Sequence, residues 1–433
     1  MIYSLTKPIA KVALATYFRK VYFSNQDVIP KGKPVILAAN HPSALIEPCL
    51  LACWLDRPLS YIARGDIYLN SFWVRTLYRM YNMVPVFRMQ DAGYGHIKDN
   101  YESFEKCFDA LNDNRVLMIL AEGKTIHEKR MRPIMKGTAR IIFGAMEKYG
   151  DLNIHVVPTG INYSNPDQFR SIAMVDFGEP IRVREYYELY KEQPAKAIQN
   201  VTKEISKRLK ERVIHINDKG DDELVERLFE IRRNDKKAPL FPITITNKST
   251  LFSEKQLADS INGLSEFDKK NLKEKVTRYY ALLGLNGTSD LGMAHRTSYS
   301  WANSIFLAIG WLPAIMGQLL NWPPLLVGNK IADKMAPSIE FRASIAGVFG
   351  SLLWLFYFAI IVLGLGLSGV PKLAFTAFLL PALGYFSILY REGYDKWREA
   401  KKTSALAPIV FVELKEYRDE ISRFIEDSSD KKN

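Results

Sequence analysis

The stretch NHPSALIEP, residues 40–48, holds an imidazole, His41, and a carboxylate, Glu47, within one short segment. His41 comes directly after the apolar run PVILAAN and is followed at once by Pro42, a residue favoured at the first position of a helix. A histidine at such a strand-to-helix junction is either a buried structural ring or a general base. In the second case Glu47 is its partner. Imidazole, with an ordinary pKa near ~6.5, is suited to taking a proton at neutral pH. A carboxylate on its other nitrogen fixes the tautomer and steadies the charge that develops.

Three further stretches carry groups of chemical interest. NMVPVFRMQD, residues 82–91, is a strand-like run ending on Arg88, a side chain able to grip a phosphate with two parallel hydrogen bonds. LAEGKTIHEKRMRPIMKGTAR, residues 120–140, runs from a strand into Glu122–Gly123, and six Lys/Arg follow from Lys124 to Arg140 against one acid, Glu128. That run is either a solvated basic helix face or a surface for anions. VVPTGINY, residues 156–163, has Pro158 inside a strand pattern, which points to a sheet edge or a strand end.

The elements that must position these groups are legible from periodicity. Between residues 34 and 183, short β-branched or apolar runs bounded by Pro, Gly, Asn or Asp alternate with helical stretches at 44–55, 71–81, 97–112 and 136–149. A further helix is expected near 194–213. Alternation of this kind predicts an α/β domain over 31–215, with a mixed, largely parallel and buried sheet flanked by helices. Before it, residues 1–30 are expected to hold an amphipathic membrane-associated helix, over 3–23, with Lys7, Lys11, Arg19 and Lys20 along it, the alternative being a core-packing helix with snorkelling lysines. The start of the chain does not read as a cleaved signal peptide. Residues 216–296 are charged and helix-periodic, a helical subdomain with a Pro/Thr/Ser-rich break at 239–253.

The last third is apolar. Ala343–Pro371 is 29 residues without a charge and Leu373–Tyr390 a further 18, where about 20 suffice to cross hydrocarbon. The pair predicts a transmembrane helical hairpin over 340–392, followed by a charged tail over 393–433. Arg342 precedes the hairpin and Arg391, Lys396 and Arg398 follow it, so both ends and the α/β domain are expected on the cytoplasmic face. The earlier uncharged run is interrupted by Pro313, Pro323 and Pro324; residues 297–329 are expected to be a kinked, interfacial or re-entrant segment.

Charge narrows the partners. The chain of 433 residues has a formal net charge of +12, and residues 1–140 hold 20 Lys/Arg against 12 Asp/Glu. A basic face serves nucleic acid, an anionic membrane or phosphorylated substrates. No zinc spacing, RNP-like segment or basic region followed by heptads is present, which leaves the last two. Cys49 and Cys53 stand one helical turn apart among leucines, as core filling. His96, His127, His155, His215 and His295 show no ligand spacing, and no metal or redox cofactor is expected.

Taken in order, the four stretches over about residues 30–185 resemble the phospholipid/glycerol acyltransferase family, in its longer yeast-like and bacterial branch. The resemblance implies a glycerolphosphate acyltransferase-like fold and transfer of a fatty acyl group from a thioester to glycerol 3-phosphate or its 1-acyl derivative. The donor would be acyl-CoA or acyl-carrier protein, and the partners membrane lipids. By the same resemblance His41 is the general base, Glu47 orients it and Arg88 clamps the acceptor's phosphate. Glu122 and Gly123 match the Glu-Gly of the third block, also assigned to acceptor binding, and Pro158 the proline of the fourth. Lys124, Lys136 and Arg140, the last two in the K-G-T-A-R end of the third block with Gly137, are placed on the substrate side with them. The chain departs from the family in three places. It has Glu47 where the branch has Asp, no Pro before Glu122, and Lys124 in place of the usual Thr-Arg after Gly. Other lysolipids or dihydroxyacetone phosphate are alternative acceptors, and a catalytically decayed lipid-binding protein is the alternative outside enzymes. Since a substrate alcohol can itself attack, Ser43 is not needed as an acyl carrier.

Overall fold

The computed structural model describes all residues except 1, 66–71, 87–96, 151, 237–238, 369–370 and 431–433. The chain divides into two compact units, residues 1–215 with 241–251 and 338–344, and residues 216–240, 252–337 and 345–433.

The first unit is built on nine strands: β1 (Lys20–Ser24), β2 (Val35–Ala39), β3 (Leu59–Arg64), β4 (Met83–Val86), β5 (Val116–Leu120), β6 (His155–Tyr163), β7 (Ile172–Phe177), β8 (Ile181–Arg182) and β9 (Thr244–Thr246). They lie in the order β4-β3-β5-β2-β6-β7-β1-β9, with β8 paired to β6 off this path. Every pairing is parallel except β6 with β7 and β6 with β8. Around the sheet run helices α1 (Ile2–Tyr17), α2 (Ile46–Trp54), α3 (Phe72–Met80), α4 (Ile97–Asn112), α5 (Gly137–Tyr149) and α6 (Pro194–Lys210). The mixed, mostly parallel α/β architecture expected from the alternation is the one observed.

Strand β2 shows why both faces need cover. Val35, Leu37 and Ala39 join one apolar cluster with Leu50, Met118 and Val157, while Ile36 and Ala38 join another with Leu117, Ile142 and Val156. Alternate side chains leave a strand on opposite faces, so a strand apolar at every position must be sandwiched.

Two sequence expectations are corrected here. The first helix ends at Tyr17, and residues 20–24, of which 20–23 are expected inside it, form β1 between β7 and β9. KVYFS is β-branched and aromatic, and its Lys20 is buried because its ammonium donates to the Pro242 carbonyl at 2.7 Å. On α1 the lysines turn toward the domain: Lys7 Nζ donates to the Leu55 carbonyl at 2.6 Å, and Lys11 Nζ lies over the Trp54 ring. Leu5, Ile9 and Val12 are left outward and exposed.

The second correction concerns Pro158, which is in the interior of the sheet rather than at an edge or strand end. It pairs with Ala38 on β2. On its other side, β6 changes partner, from β8 at His155–Val156 to β7 from Thr159 onward. The Pro158 carbonyl accepts from Gly178 N–H, in the β7–β8 connection, so its donor-less nitrogen faces that seam. A missing N–H costs little where no ladder bond is due.

The second unit is helical: α7 (Asp222–Asp235), α8 (Ser249–Asn262, its first turn in the first unit), α9 (Glu266–Leu285), α10 (Asp290–Ala294), α11 (Trp301–Met335), α12 (Ile339–Gly366, its first turn also in the first unit), α13 (Leu379–Ser404) and α14 (Pro408–Asp430). Three helical segments, Trp301–Met335, Ile339–Gly366 and Ala374–Ser404, are long and apolar enough to cross a membrane. The helix over 301–335 runs through Pro313, Pro323 and Pro324 without a break.

Close packing joins α11 to α13. A Cβ at Gly317 would stand 2.1 Å from the Leu383 carbonyl oxygen. Asn321 is buried and bonded three ways, donating to the Gly317 and Leu380 carbonyls and accepting from Trp354 Nε1. One amide thereby ties three helices, as expected of a polar side chain among apolar ones. The pairing is antiparallel, from Leu307–Tyr390 to Asn321–Leu380. At its open end a polar clasp closes the unit: Ser289 Oγ donates to Glu399, Thr288 and Thr403 hydroxyls lie 2.6 Å apart, and Arg418 Nε donates to Asp290 at 2.8 Å.

Candidate active site

Strands β2, β3, β4 and β5 are mutually parallel, so their C-terminal ends emerge at one edge of the sheet. In α/β folds that edge is where ligands are held. His41 lies two residues past the end of β2, and Glu122 two past the end of β5, paired strands whose last residues Ala39 and Leu120 are in register. Strand β4 runs the same way toward Arg88, which lies outside the described residues.

His41 and Glu47 are brought together. Nδ1 and Oε2 face each other at 3.5 Å, and the Glu47 side chain is wholly buried. Neither atom has another hydrogen-bond partner among the described residues. The pair is loosely closed, as catalytic contacts often are before substrate binds. Glu47 is also held from the backbone, since its Oε1 accepts from Ser43 N–H. Burial pushes the Glu47 carboxyl above the usual carboxylate range, and the neighbouring His41 works against that shift.

Glu122 is a bracket. Its Oε2 accepts from the His41 backbone N–H at 3.0 Å and from Arg132 Nη2 at 2.8 Å, while Oε1 accepts from Arg132 N–H at 2.9 Å. Arg132 Nη2 reaches on to the carbonyls of His41 and Lys124. One buried ion pair therefore fixes both the backbone that carries the imidazole and the return of the loop after β5. Gly123 supplies the turn, with φ of +71°. Lys124 is exposed, engaged through its carbonyl rather than its ammonium.

Lys136, Gly137 and Arg140 occupy the start of α5, with both cations exposed, and make no described contact with His41 or Glu122. Pro158 touches the site only through β2, opposite Ala38. An open concavity of about 400 Å³ lined by Lys33, His155 and Arg182 belongs to the starts of β2 and β6, away from His41.

Two residues were missed by sequence reasoning. Arg132 was one cation among six, and nothing in its type distinguishes a buried bracket from a solvated charge. Thr125 was not singled out at all, yet its Oγ1 is 2.5 Å from His41 Nε2. In the tautomer that carries its proton on Nδ1, toward Glu47, the Nε2 lone pair faces the Thr125 hydroxyl. The arrangement sets one ring nitrogen against an acid and the other against an O–H group. Amides at the start of α2 are already used: Ser43 N–H by Glu47, and Leu45 N–H by Ser344 Oγ at 3.1 Å.

Replacing Glu47 by glutamine gives opposite effects on stability and activity. A carboxyl whose folded pKa is raised contributes stability below its unfolded pKa and loses it as pH rises through the folded value. Glutamine, always neutral, should raise the thermal midpoint relative to the native chain more at pH 8 than at pH 5. It should also remove the orienting charge beside Nδ1 and lower the rate of any reaction that uses His41 as a base. An equal change in midpoint at both pH values would refute the assignment.

Residues 20–162, from β1 through most of β6, match the family model described as Acyltransferase. Glycerol-3-phosphate O-acyltransferase 2 of Saccharomyces cerevisiae is 33% identical over 117 residues, covering 27% of this chain and 16% of that protein. Glycerol-3-phosphate O-acyltransferase 1 of the same yeast is 36% identical over 80 residues, covering 18% and 10%. The chain thus spans a small part of the length of these relatives. Among solved structures, the 1-acyl-sn-glycerophosphate (LPA) acyltransferase PlsC from Thermotoga maritima aligns with a TM-score of 0.33 at 15% identity, over 47% of this chain and 79% of that one. The His41–Glu47 pair and the Glu122 bracket both fall inside the stretch, residues 20–162, that matches the Acyltransferase family model.

Proposed function

We infer that this chain transfers a fatty acyl group from acyl-CoA or an acyl-carrier protein to glycerol 3-phosphate or 1-acylglycerol 3-phosphate at a membrane, in phospholipid synthesis. The observation that carries the reading is the His41–Glu47 pair inside an acyltransferase-family domain, with Nε2 presented to a hydroxyl. In the reaction that ring nitrogen takes the proton of the acceptor alcohol as its oxygen bonds to the thioester carbon. The C–S bond then breaks and the thiolate leaves with the proton from His41. Glu47 holds the imidazolium meanwhile. Arg88 is assigned to the acceptor's phosphate, with Lys124, Lys136 and Arg140 contributing positive potential.

The test uses the full chain in phospholipid vesicles with labelled acyl-CoA or acyl-carrier protein. Glycerol 3-phosphate, 1-acylglycerol 3-phosphate and dihydroxyacetone phosphate are offered in turn. Labelled product with one of the first two is expected. Transfer only to dihydroxyacetone phosphate would redirect the acceptor, and transfer to none would overturn the reading.

The polar clasp of the second unit bears on membrane placement. Residues 288–290, before α11, are bonded to Glu399 and Thr403 at the end of α13 and to Arg418 of α14. This clasp supports a reading in which the chain returns to the side of the bilayer it left, with an even number of the three apolar helices crossing. With Arg391, Lys396 and Arg398 on the returning end, that side is assigned to the cytoplasm. Reporter tags placed before residue 300 and after residue 404 should both be accessible from the cytoplasmic face. Tags on opposite faces would refute the assignment.

A further inference from the structure

A general base with one oriented nitrogen has one place for an alcohol, and in this structure a side chain already stands in it. Nδ1 of His41 belongs to Glu47, and Thr125 Oγ1 occupies the Nε2 side at 2.5 Å. Water, the acceptor alcohol and Thr125 therefore compete for the same lone pair. The loop carrying Thr125 is pinned on both sides. Glu122 and the Lys124 carbonyl are held by Arg132, Lys129 Nζ donates to the Ser164 carbonyl at 3.0 Å, and Met131 N–H donates to His215 Nδ1 at 3.0 Å. The loop is thus fixed as a frame, while a turn about the Thr125 Cα–Cβ bond is enough to uncover Nε2.

We propose that Thr125 guards the base against water, so that a bound thioester is transferred rather than hydrolysed. This rests on the acyltransferase reading. With donor bound and no acceptor present, the Thr125 O–H occupies the Nε2 lone pair, and a water in that position finds no base. An acceptor displaces the hydroxyl because its phosphate contributes binding energy remote from the reacting oxygen; water has no such handle. Thr125 is itself a hindered nucleophile, being secondary and flanked by its own methyl group, and it takes no acyl group in this scheme. It is a specificity-determining residue, acting through occupancy of His41.

The experiment follows CoA release from acyl-CoA by the full chain in phosphatidylcholine vesicles, with and without an acceptor that the native protein acylates. For the native chain, release without acceptor should be a small fraction of release with it. Thr125→Ala should raise acceptor-independent release by about tenfold or more, a modest share of what a general base supplies. Thr125→Ser should restore the native ratio of hydrolysis to transfer, and His41→Ala/Thr125→Ala should abolish the added hydrolysis. A Thr125→Ala protein that transfers but hydrolyses no faster than native overturns the guard and leaves the acyltransferase reading standing. A native protein that acylates no acceptor overturns that reading instead. One measurement needs no variant: intact-mass analysis of the native chain after donor alone should show no adduct, and an acyl group on Thr125 would replace the guard with a covalent carrier.

Discussion

His41→Ala is expected to lower acyl transfer by about a thousandfold, within the range a positioned general base contributes, while the protein remains folded and membrane-bound. The imidazole is at the domain edge with its ring between Glu47 and Thr125, so its removal deletes the proton acceptor without opening the apolar clusters beneath β2. Glu47 acts only through His41. Glu47→Ala should therefore cost activity in the native background and nothing further in the His41→Ala background, the non-additivity of groups that work as a unit. Single-turnover transfer of labelled acyl groups, with the thermal midpoint as control, measures all three variants. If His41→Ala keeps a tenth of native transfer, or if the two losses multiply, proton abstraction by this ring is refuted.

The layers of the domain were legible because their signals are local. PVILAAN, RVLMILAEG and IHVVPTGINY are apolar at consecutive positions, which only a strand covered on both faces tolerates, and they became β2, β5 and β6. The helices over 97–112 and 136–149 announced themselves by periodicity and lie where expected. Failures came where two structures share one pattern. KVYFS continues the apolar run of α1, and only its partners β7 and β9, some 150 and 220 positions onward, make it a strand. Strand β9 itself comes from the break at 239–253, too short to read before a neighbour supplies its ladder. Pro158 was misplaced for a related reason: an interior proline is admissible only where the adjacent strand changes, and that seam is a property of the whole sheet.

The site divided along similar lines. His41 and Glu47 are near in sequence and were paired by residue type. Thr125 and Arg132 reach His41 from more than eighty positions away, through a loop whose course depends on Gly123 and on a carboxylate shared by two backbones. Sequence shows a cationic stretch there and does not show which cation turns inward.

That inward turn has a measurable consequence. Glu122→Ala should destabilise the first unit by about 3–5 kcal/mol, the cost of leaving one member of a buried pair uncompensated. The loss is concentrated because the same carboxylate accepts from two backbone N–H groups and a guanidinium. Arg132 would be left with a cation already poor in partners, its Nε and Nη1 being buried without acceptors among the described residues. Arg132→Met in the Glu122→Ala background removes that stranded charge and supplies apolar volume, so the double variant should recover part of the stability. Activity should not recover with it. His41 N–H still lacks its acceptor, the β2 end is no longer tied to the loop after β5, and a displacement of about 1 Å at a reacting group is enough to cost about a hundredfold. Denaturant titration of the detergent-solubilised protein gives the stability cycle, and transfer assayed well below each midpoint gives the rates. A Glu122→Ala protein within 1 kcal/mol of native, to be read as a surface-like pair, or a double variant as active as native, would show that the bracket does not position the base.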